Sequence, residues 1–370
     1  MHKIGLICEY NPFHNGHLYM INEIKKKYPK SILICILNGY FNQRGDISIL
    51  TKEDKTKIAL QNNIDIVLEL PFVYGTQSAD IFAYQSIKIL NNYKIDTLIF
   101  GSESNNINTL NKIVDLQNKE EYNTKVQELL DNGINYPTAM AKALNIDFEF
   151  NPNDLLGISY IKAIREINPS IKIETIKRTN NYHDLFLDSD IVSASNIRER
   201  LLNKEDISKY VPYTVHNCIN DINYSKLYNL LKFKILTDKD LSIYLDVDEG
   251  IEYRILKYIK DSKTLDELII NIKTKRYTYN KIKRMLLHIL IGLTKKDNTK
   301  LELDYTKILG FTKKGQEYLN SIRKELIIPS IPNKESLIYE YELKSAYIYE
   351  QVSNKNLNNF DQKNIPVKND

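Results

Sequence analysis

The sequence predicts an α/β fold in which a parallel sheet forms in the first part of the chain and helices dominate the second. Five short segments rich in apolar residues read as strands, at residues 4–8, 31–37, 64–70, 95–100 and 171–176. Helical patterns alternate with them, which is typical of parallel strands with helices on both faces. We therefore predict a Rossmann-like, five-stranded parallel sheet followed by a mainly α-helical C-terminal domain.

The individual elements follow from where each apolar run stops and what comes next. Asn11 and Pro12 break the chain after the first strand, and an amphipathic helix with Leu18, Ile21 and Ile24 on one face begins soon afterwards. An Asn-Gly pair ends the second strand, and a proline ends the third. The remaining helices of this part are predicted at residues 51–60, 78–90, 105–145 with breaks, and 154–167.

The second part of the chain is predicted to be a separate helical domain. Pro212 and a polar stretch at 217–223 mark a linker region, and helical patterns follow at 226–235, 248–259, 264–272 and 280–293. The final stretch, 354–370, is rich in Asn and Lys, so we expect it to be frayed. These boundaries predict one domain at residues 1–204 and a second at 205–370.

Composition narrows the class of protein. The 370 residues include 51 Lys and Arg against 47 Asp and Glu, a net charge of +4 that does not by itself indicate nucleic-acid binding. No apolar run approaches the roughly 20 residues of a membrane span, and we expect a soluble cytoplasmic protein. Cys8, Cys35 and Cys218 are expected to be thiols rather than ligands, since no Cys/His cluster has zinc spacing. Nothing in the composition predicts an oligomeric state.

The most informative stretch joins the first predicted strand to the first helix and contains His14-Asn15-Gly16-His17. A helix start presents free N–H groups and about half a positive charge, so it attracts anions. The two histidines add side-chain donors, and Gly16 lets a ligand approach the backbone closely. The alternative is that both histidines are only polar surface; their position between a strand and a helix favours the anion site.

A second motif, Ser193-Ala-Ser195-Asn-Ile-Arg198, precedes another helical pattern. We predict that Ser195 caps a helix that starts at Asn196. Arg198 then lies in the first turn, where a positive charge is unfavourable unless it faces an anion. Taken alone, the motif favours a capped surface helix; taken with the histidines, it favours a phosphate site.

Polar residues follow the carboxyl ends of several predicted strands, including Arg44 after the second, Gly101 after the fourth and Arg178 after the fifth. Because ligands of parallel sheets bind beyond these ends, we expect the residues to converge on one site. The pair His183-Asp184 is interpreted as a turn and left outside this site.

Two motifs carry a resemblance to a known family. The string His14-x-Gly-His17 resembles the HIGH-type signature of the nucleotidyltransferase superfamily, and residues 193–198 resemble its second signature, Ser-Ser-Thr-x-Ile-Arg. The longer string Cys8-Glu-Tyr-Asn-Pro-Phe-His-Asn-Gly-His-Leu-Tyr19 is similar to the tRNA(Met) cytidine acetate ligase family. The resemblance continues at 273–278, 284–285 and 309–315, and it implies the HUP/nucleotidyltransferase type of fold.

The resemblance also implies an activity. Members of this family activate acetate with ATP as acetyl-adenylate and acetylate N4 of the wobble cytidine of elongator tRNA(Met). We assign the α/β-phosphate charge to His14 and His17 and the leaving pyrophosphate to Arg198. We expect Mg²⁺ to accompany ATP and to be held mainly by phosphates rather than by a protein cage.

Two departures from the family pattern occur within the implied ATP site. Asp154 replaces the second Asn of a Pro-Asn-Asn-Ile-Leu-Gly string, and Met20 stands where a histidine is common. The ATP site implied by the resemblance, together with the second motif, comprises Ile7, Cys8, Glu9, Tyr10, Asn11, Pro12, Phe13, His14, Asn15, Gly16, His17, Leu18, Tyr19, Met20, Gly101, Asn153, Arg178, Ser193 and Ser195.

A basic run in the second half is the best candidate for RNA contact. Between Asn271 and His288 the chain has six basic residues and no acidic one, interrupted by Tyr277 and Tyr279. Such a run supplies charge for phosphates and aromatic rings for exposed bases, although a solvated helix face is the alternative. The predicted RNA-binding residues are Arg44, Lys273, Lys275, Arg276, Lys281, Lys283 and Arg284.

Two other functions remain open at this stage. The same phosphate motifs would serve a small-molecule adenylyltransferase of coenzyme or nucleotide metabolism, although such an enzyme has no use for a basic helical half. The second alternative is a non-catalytic RNA-binding protein that keeps a nucleotide-binding fold but no longer binds ATP. The two differ from the ligase in the fate of ATP, acetate and tRNA.

Overall fold

The structure is a computed structural model that describes residues 1–144, 148–178 and 190–369. The pair His183-Asp184, interpreted above as a turn, lies outside the described residues. Across the described ranges, none of the helices is both long and apolar enough to cross a membrane.

A mixed sheet forms the centre of the fold, and it confirms the α/β class. Its strand order is β5-β4-β1-β2-β3-β6-β7, and the five strands predicted from the sequence pair in parallel. The predicted count of five is wrong, because the described part of the chain contains seven strands. Their bounds are β1 (Lys3–Cys8), β2 (Ile32–Asn38), β3 (Ile66–Leu70), β4 (Thr97–Ser102), β5 (Lys172–Lys177), β6 (Ile308–Thr312) and β7 (Val367–Asn369).

The two additional strands come from the end of the chain. β6 pairs antiparallel with β3, and β7 pairs parallel with β6. β6 is five residues long and β7 is three, and the sequence analysis predicted a strand at neither position. The expectation of a frayed stretch at 354–370 is therefore wrong, since this stretch contains β7 and a helix.

A buried ionic cluster attaches the end of the chain to the sheet. Lys52 Nζ lies 2.8 Å from Glu69 Oε1 and 2.9 Å from Glu342 Oε1, and it also contacts Asp361. None of these side chains is more than 2% exposed. Burial, with the adjacent Glu69 carboxylate, raises the pKa of Glu342 to about 7. Charged groups this deep persist only when paired, so the cluster fixes the position of the C-terminal segment.

Helices cover both faces of the sheet and form most of the second half. They are α1 (Asn15–Lys27), α2 (Lys52–Gln61), α3 (Phe72–Gly75), α4 (Ala79–Asn92), α5 (Ile107–Gln117), α6 (Glu120–Asp131), α7 (Tyr136–Leu144), α8 (Pro152–Ile167), α9 (Ala194–Leu202), α10 (Tyr213–His216), α11 (Tyr224–Thr237), α12 (Ile251–Tyr258), α13 (Leu265–Ile272), α14 (Tyr279–Ile291), α15 (Lys295–Asn298), α16 (Lys313–Ile322), α17 (Leu337–Ser353) and α18 (Asn358–Lys363).

The strand order places a ligand crevice next to β1. From β1 the chain builds β2 and β3 on one side, then crosses to form β4 and β5 on the other. Such a switch point opens a crevice beyond the carboxyl ends of the strands. The His14 motif begins six residues after the last residue of β1, so it lies at this crevice.

Helix α14 lies between two hydrophobic cores. Met285 and Leu286 belong to a small cluster built by α11 to α14, whereas Leu287 and Ile291 pack into the large core around the sheet. Because both cores share this helix, its basic side chains lie near the first half of the chain. The predicted domain boundary at residue 204 stays a prediction.

Candidate nucleotide site

The two histidines of the first motif form a capping box at the start of α1. His14 is the N-cap, and its Nδ1 accepts a hydrogen bond from Gly16 N–H at 3.0 Å. His17 Nδ1 accepts one from His14 N–H at 3.2 Å. Each ring therefore satisfies a backbone donor that the helix itself leaves free. The rings lie 3.9 Å apart, centroid to centroid, and the Tyr10 and Phe13 rings pack against His17.

Both imidazoles are neutral near pH 7. Burial lowers the pKa of His14 to about 3, and the nearby Arg178 and Arg198 charges act in the same direction. Burial, followed by the neighbouring His14, lowers the pKa of His17 well below its usual value. Because Nδ1 of each ring accepts a hydrogen bond, the single proton of each neutral ring lies on Nε2. The pair can offer two N–H donors to an anion without contributing a charge.

A second helix start lies beside the first. Ser193, not Ser195, caps α9, because its Oγ accepts a hydrogen bond from Asn196 N–H at 3.2 Å. The predicted cap was therefore two residues late, since either serine of the motif could satisfy the pattern. A methyl group at Gly16 would lie 3.3 Å from Ile191 Cγ2, so the segment before α9 packs on the first turn of α1. Two helix N-termini thus approach the same crevice.

Arg198 extends from the second turn of α9, not from the predicted first turn, towards both motifs. Its Nη1 donates to Asn11 O at 2.7 Å, and its Nη2 lies 3.4 Å from Ser195 Oγ. The same Nη2 lies 3.5 Å from Asp46 Oδ2. The guanidinium is therefore oriented by a carbonyl and a carboxylate, with one side of the fork facing the cavity described below.

Arg178 and Asn153 meet at the carboxylate of Glu103, which directly follows β4 and was expected at this site for that reason. Glu103 Oε1 lies 3.8 Å from Arg178 Nε and accepts a hydrogen bond from Asn153 Nδ2 at 2.5 Å. Asp154 is fully buried and accepts hydrogen bonds from Ser102 Oγ and from Ser104 N–H. Asp154 therefore fixes the loop after β4 and does not replace a ligand within the cavity.

These residues enclose one cavity of about 230 Å³ at the carboxyl ends of β1, β4 and β5. The sequence-predicted ATP residues that line it are Ile7, Cys8, Glu9, Tyr10, Asn11, His14, Gly16, His17, Tyr19, Met20, Gly101, Asn153, Arg178, Ser193 and Ser195, and Arg198 also lines it. Four predicted residues are not in its lining: Pro12, Phe13, Asn15 and Leu18.

Asn15, which does not line the cavity, connects α1 to neighbouring segments. Its side chain donates to Asp190 O and Lys209 O, at 2.8 and 3.0 Å, and its N–H donates to Tyr210 O. These contacts join α1 to the segments on either side of α9. Phe13 is fully buried and packs against Tyr10. Asn15 and Phe13 therefore hold the motif in position without lining the cavity.

The cavity also has walls outside the predicted ATP residues. Apolar walls come from Phe82, Ile99, Phe100, Leu156 and Tyr160, and a polar wall comes from Asn42, Gln43 and Arg44. The sequence predicts the polar wall, since residues 38–44 follow the carboxyl end of β2 and were expected at the site. The apolar wall carried no such signal, because apolar residues on helices and strands usually indicate only a core.

The predicted RNA-binding residues fall into two groups. Lys273, Lys275 and Arg276 are exposed in the turn before α14, and Arg276 pairs with Glu249 at 3.1 Å. Lys283 and Arg284 instead face the loop at residues 42–46: Lys283 Nζ lies 2.5 Å from Asp46 Oδ1, and Arg284 Nη1 lies 3.4 Å from Gln43 O. Lys281 is half-buried, with its Nζ 4.7 Å from the centre of the Tyr277 ring, and Arg44 lines the cavity.

The carboxylates around the cavity are engaged with cations or backbone donors. Glu9 accepts a hydrogen bond from Gln43 N–H at 2.8 Å, Asp46 contacts Arg198 and Lys283, and Glu103 contacts Arg178. Among the described residues, no group of three or more His, Cys, Asp or Glu side chains is arranged to hold a metal ion. The donor set thus suits a polyphosphate rather than a protein-held cation.

Comparison with known proteins supports this interpretation of the site. A family model described as HIGH Nucleotidyl Transferase matches residues 1–364. The tRNA(Met) cytidine acetate ligase of Fusobacterium nucleatum is 36% identical, over 92% of this chain and 91% of that protein. Its namesake from Mycoplasma mobile is 40% identical, over 79% of this chain and 99% of that protein.

Solved structures of a similar protein have the same fold as this chain. Thermotoga maritima TmcAL in an apo form superposes with a TM-score of 0.84 at 26% identity, over 99% of this chain and 96% of that one. The same protein bound with alpha-thio ATP superposes with a TM-score of 0.80 at 27% identity, over 99% and 95%.

Proposed function

The chain belongs to the tRNA(Met) cytidine acetate ligase family of the HIGH nucleotidyl transferases, and from this premise we propose how it works. It is a ligase. In our proposal it joins acetate to ATP as acetyl-adenylate in the cavity, then transfers the acetyl group to N4 of the wobble cytidine of elongator tRNA(Met). The observation that carries the proposal is the meeting of two helix N-termini, two neutral imidazoles and Arg198 around one cavity.

The first step needs charge stabilisation rather than an enzyme nucleophile. A carboxylate oxygen of acetate attacks the α-phosphorus of ATP, the bond from that phosphorus to the bridging oxygen of the β-phosphate breaks, and pyrophosphate leaves. Negative charge grows on the phosphate oxygens during this step. The Nε2–H groups of His14 and His17 are suited to the α- and β-phosphate oxygens, because neutral donors add no charge that would oppose departure of the product.

The leaving pyrophosphate carries more negative charge than the α-phosphate, so its departure requires positively charged side chains. Arg198 and the hydroxyls of Ser193 and Ser195 are placed to receive it at the start of α9, where the helix dipole is also favourable. Arg178 and Arg44 lie on other walls of the same cavity. We propose that they neutralise the remaining phosphate charge.

The second step is attack by the cytidine N4 amine on the acetyl carbonyl carbon. The bond from that carbon to the phosphate oxygen breaks, AMP leaves, and N4 loses one proton. An aromatic amine of this kind is a weak nucleophile, so catalysis depends mainly on holding the base against the acetyl-adenylate. Extrusion of a single-stranded anticodon base into a pocket costs little, because that base is not paired.

The RNA path in this proposal leads from the basic turn before α14 to the cavity. A cleft of about 600 Å³ separates that turn from the α6–α7 corner. The described residues that line the cleft include Lys142, Lys273 and Lys275 and no carboxylate. Lysines without competing acids favour a phosphate backbone. Lys283 and Arg284 retain their predicted RNA role only if they can leave the 42–46 loop.

Magnesium enters this proposal only with the nucleotide. Glu103 and Asp46 near the cavity are paired with arginines, and the residues that the structure describes do not form a cage for Mg²⁺. We propose that any Mg²⁺ is carried by the ATP phosphates, and no step above depends on it.

The test follows labelled acetate. The purified protein is incubated with ATP, ¹⁴C-acetate and tRNA(Met), and the digested tRNA is analysed by mass spectrometry. We expect label on the anticodon cytidine, with one AMP formed for each acetyl group. AMP joined to a small acceptor with unlabelled RNA would support an adenylyltransferase instead. Binding of RNA without any ATP turnover would support a non-catalytic protein.

A further inference from the structure

The loop at residues 42–46 is clamped between the nucleotide cavity and helix α14. Asn42 Oδ1 accepts hydrogen bonds from Arg44 N–H and Asp46 N–H, at 3.1 and 2.8 Å. Gly45 has a φ of +81°, and a Cβ there would lie 2.9 Å from the backbone of Lys283 and Arg284. The loop backbone therefore rests directly on α14, in a conformation that suits glycine.

Asp46 stands between two cations that come from different halves of the chain. Its Oδ1 lies 2.5 Å from Lys283 Nζ, and its Oδ2 lies 3.5 Å from Arg198 Nη2. Lys283 is the nearer partner by 1.0 Å, so it takes the larger share of the carboxylate charge. The side chains of all three residues are about 20% exposed, which limits screening by solvent.

The position of Lys283 is itself fixed. Its Nζ lies 4.9 Å from the centre of the Tyr279 ring, one turn earlier on α14. The Tyr279 hydroxyl donates to Asp266 Oδ1 at 2.5 Å, which anchors the ring. The ammonium group is therefore held over the aromatic face while it reaches the loop.

This arrangement matters because a carboxylate beside Arg198 competes with any phosphate for the same guanidinium. An arginine binds a carboxylate and a phosphate with the same planar donors. A neighbouring ammonium group that already occupies the carboxylate weakens the competitor and leaves the guanidinium available. Without that ammonium group, Asp46 keeps its contact with Arg198 and can approach it more closely.

We propose that Lys283 is a positioning residue for the adenylation step, acting through Asp46 to keep Arg198 available to the pyrophosphate end of ATP. The inference rests on the proposed role of Arg198 as a pyrophosphate ligand. It gives one residue of the basic helix a role in nucleotide binding that is separate from RNA contact. Lys283 touches neither ATP nor acetate in this scheme.

The test measures binding of a non-hydrolysable ATP analogue by calorimetry, without acetate or tRNA. Lys283→Met should weaken binding about tenfold, because Asp46 then draws Arg198 away from the phosphates. Lys283→Arg keeps the charge and should stay within about threefold of the wild type. The double variant Lys283→Met with Asp46→Asn removes the competitor as well, so it should recover affinity to within about threefold. A role of Lys283 in folding alone would predict no such recovery.

The matched control is Lys344→Met. Lys344 Nζ lies 2.7 Å from Glu340 and 4.6 Å from the centre of the Tyr341 ring, so it has the same kinds of partner as Lys283 but lies on α17. This variant should bind the analogue like the wild type. Unchanged affinity in Lys283→Met, or a double variant as weak as the single one, would overturn the inference. Failure of the wild type to bind the analogue would instead refute the proposed function.

Discussion

Lys283 Nζ lies 2.5 Å from Asp46 Oδ1, so two residues 237 positions apart in the sequence form an ion pair beside the nucleotide cavity. Asp46 also faces Arg198 of the second motif. The helical half of the chain therefore borders the nucleotide site directly. In our proposal this contact gives the basic helical half a role in positioning Arg198, besides the predicted RNA contact.

We expect His14→Asn to separate helix capping from catalysis. Asparagine is a good N-cap, so the variant should retain most of the stability that the His14 ring gives to α1. It lacks the Nε2–H donor at the same place, so acetyl-adenylate formation should fall about a hundredfold. The melting temperature and the rate of acetate-dependent pyrophosphate release give the two readouts. A variant that melts normally and keeps full activity would remove His14 from the chemistry.

The buried neutral histidines predict how stability depends on pH. The pKa of His14 is about 3 in the folded protein, well below the ordinary histidine value of 6.5. Below about pH 6.5, His14 therefore binds a proton in the unfolded chain but not in the folded protein. The free energy of unfolding consequently falls as the pH drops from 6.5 towards 3.

The wild type compared with His14→Asn isolates this contribution. Between pH 7 and pH 5.5 the wild type should lose about 1 kcal/mol more of its free energy of unfolding than the variant does. Urea denaturation at both pH values measures the difference, and other titrating groups cancel in the comparison. Parallel losses in the two proteins would mean that His14 is protonated in the folded state.

Gly16→Ala should damage the nucleotide site through a steric contact. The added methyl group would lie 2.8 Å from His14 Cε1, which is closer than side chains tolerate. The ring must move, so we expect ATP binding to weaken by about tenfold while the sheet remains intact. Gly75→Ala is the control, because its methyl group meets the nearest atom at an ordinary 3.4 Å. Equal ATP affinity in the two variants would contradict the geometry.

The turn before α14 predicts a salt-dependent RNA contact. Replacing Lys273, Lys275 and Arg276 with alanine should weaken tRNA binding and flatten the plot of log affinity against log salt by about two units. Pyrophosphate formation from ATP and acetate alone should not change. The exposed Lys324 and Lys334, replaced together, serve as the control. A salt slope equal to that of the wild type would mean that the basic run is a solvated surface and does not contact RNA.

The sequence predicted the parts of the fold in which local pattern and tertiary environment agree. β1 to β4 are short, mostly buried runs, and their apolar sequences show this directly, whereas β5 is a partly exposed edge strand. β6 and β7 form the opposite edge of the sheet, and they are identified as strands only by the pairing of β6 with β3 and of β7 with β6. The C-terminal stretch was misjudged for the same reason, since Asp361 is stabilised by Lys52 rather than by its neighbours in the sequence.

The candidate site also has parts that the local sequence predicts and parts that depend on tertiary packing. His14, Gly16, His17 and Arg198 belong to motifs whose residues lie close together in the chain, and the structure brings both motifs to one cavity. The pairing of Asp46 with Lys283 has no local signature, because it depends on where α14 packs. Lys283 therefore looked like one more basic residue of an RNA-binding run.

The most direct test of the central claim is exchange of ³²P-labelled pyrophosphate into ATP without tRNA. If acetate is activated as acetyl-adenylate in this cavity, exchange should require acetate, and Arg198→Met should reduce it by at least a hundredfold. The account would be contradicted by a wild-type protein that acetylates tRNA(Met) yet shows no acetate-dependent exchange, because acetate would then reach the cytidine by a route that does not pass through an adenylate.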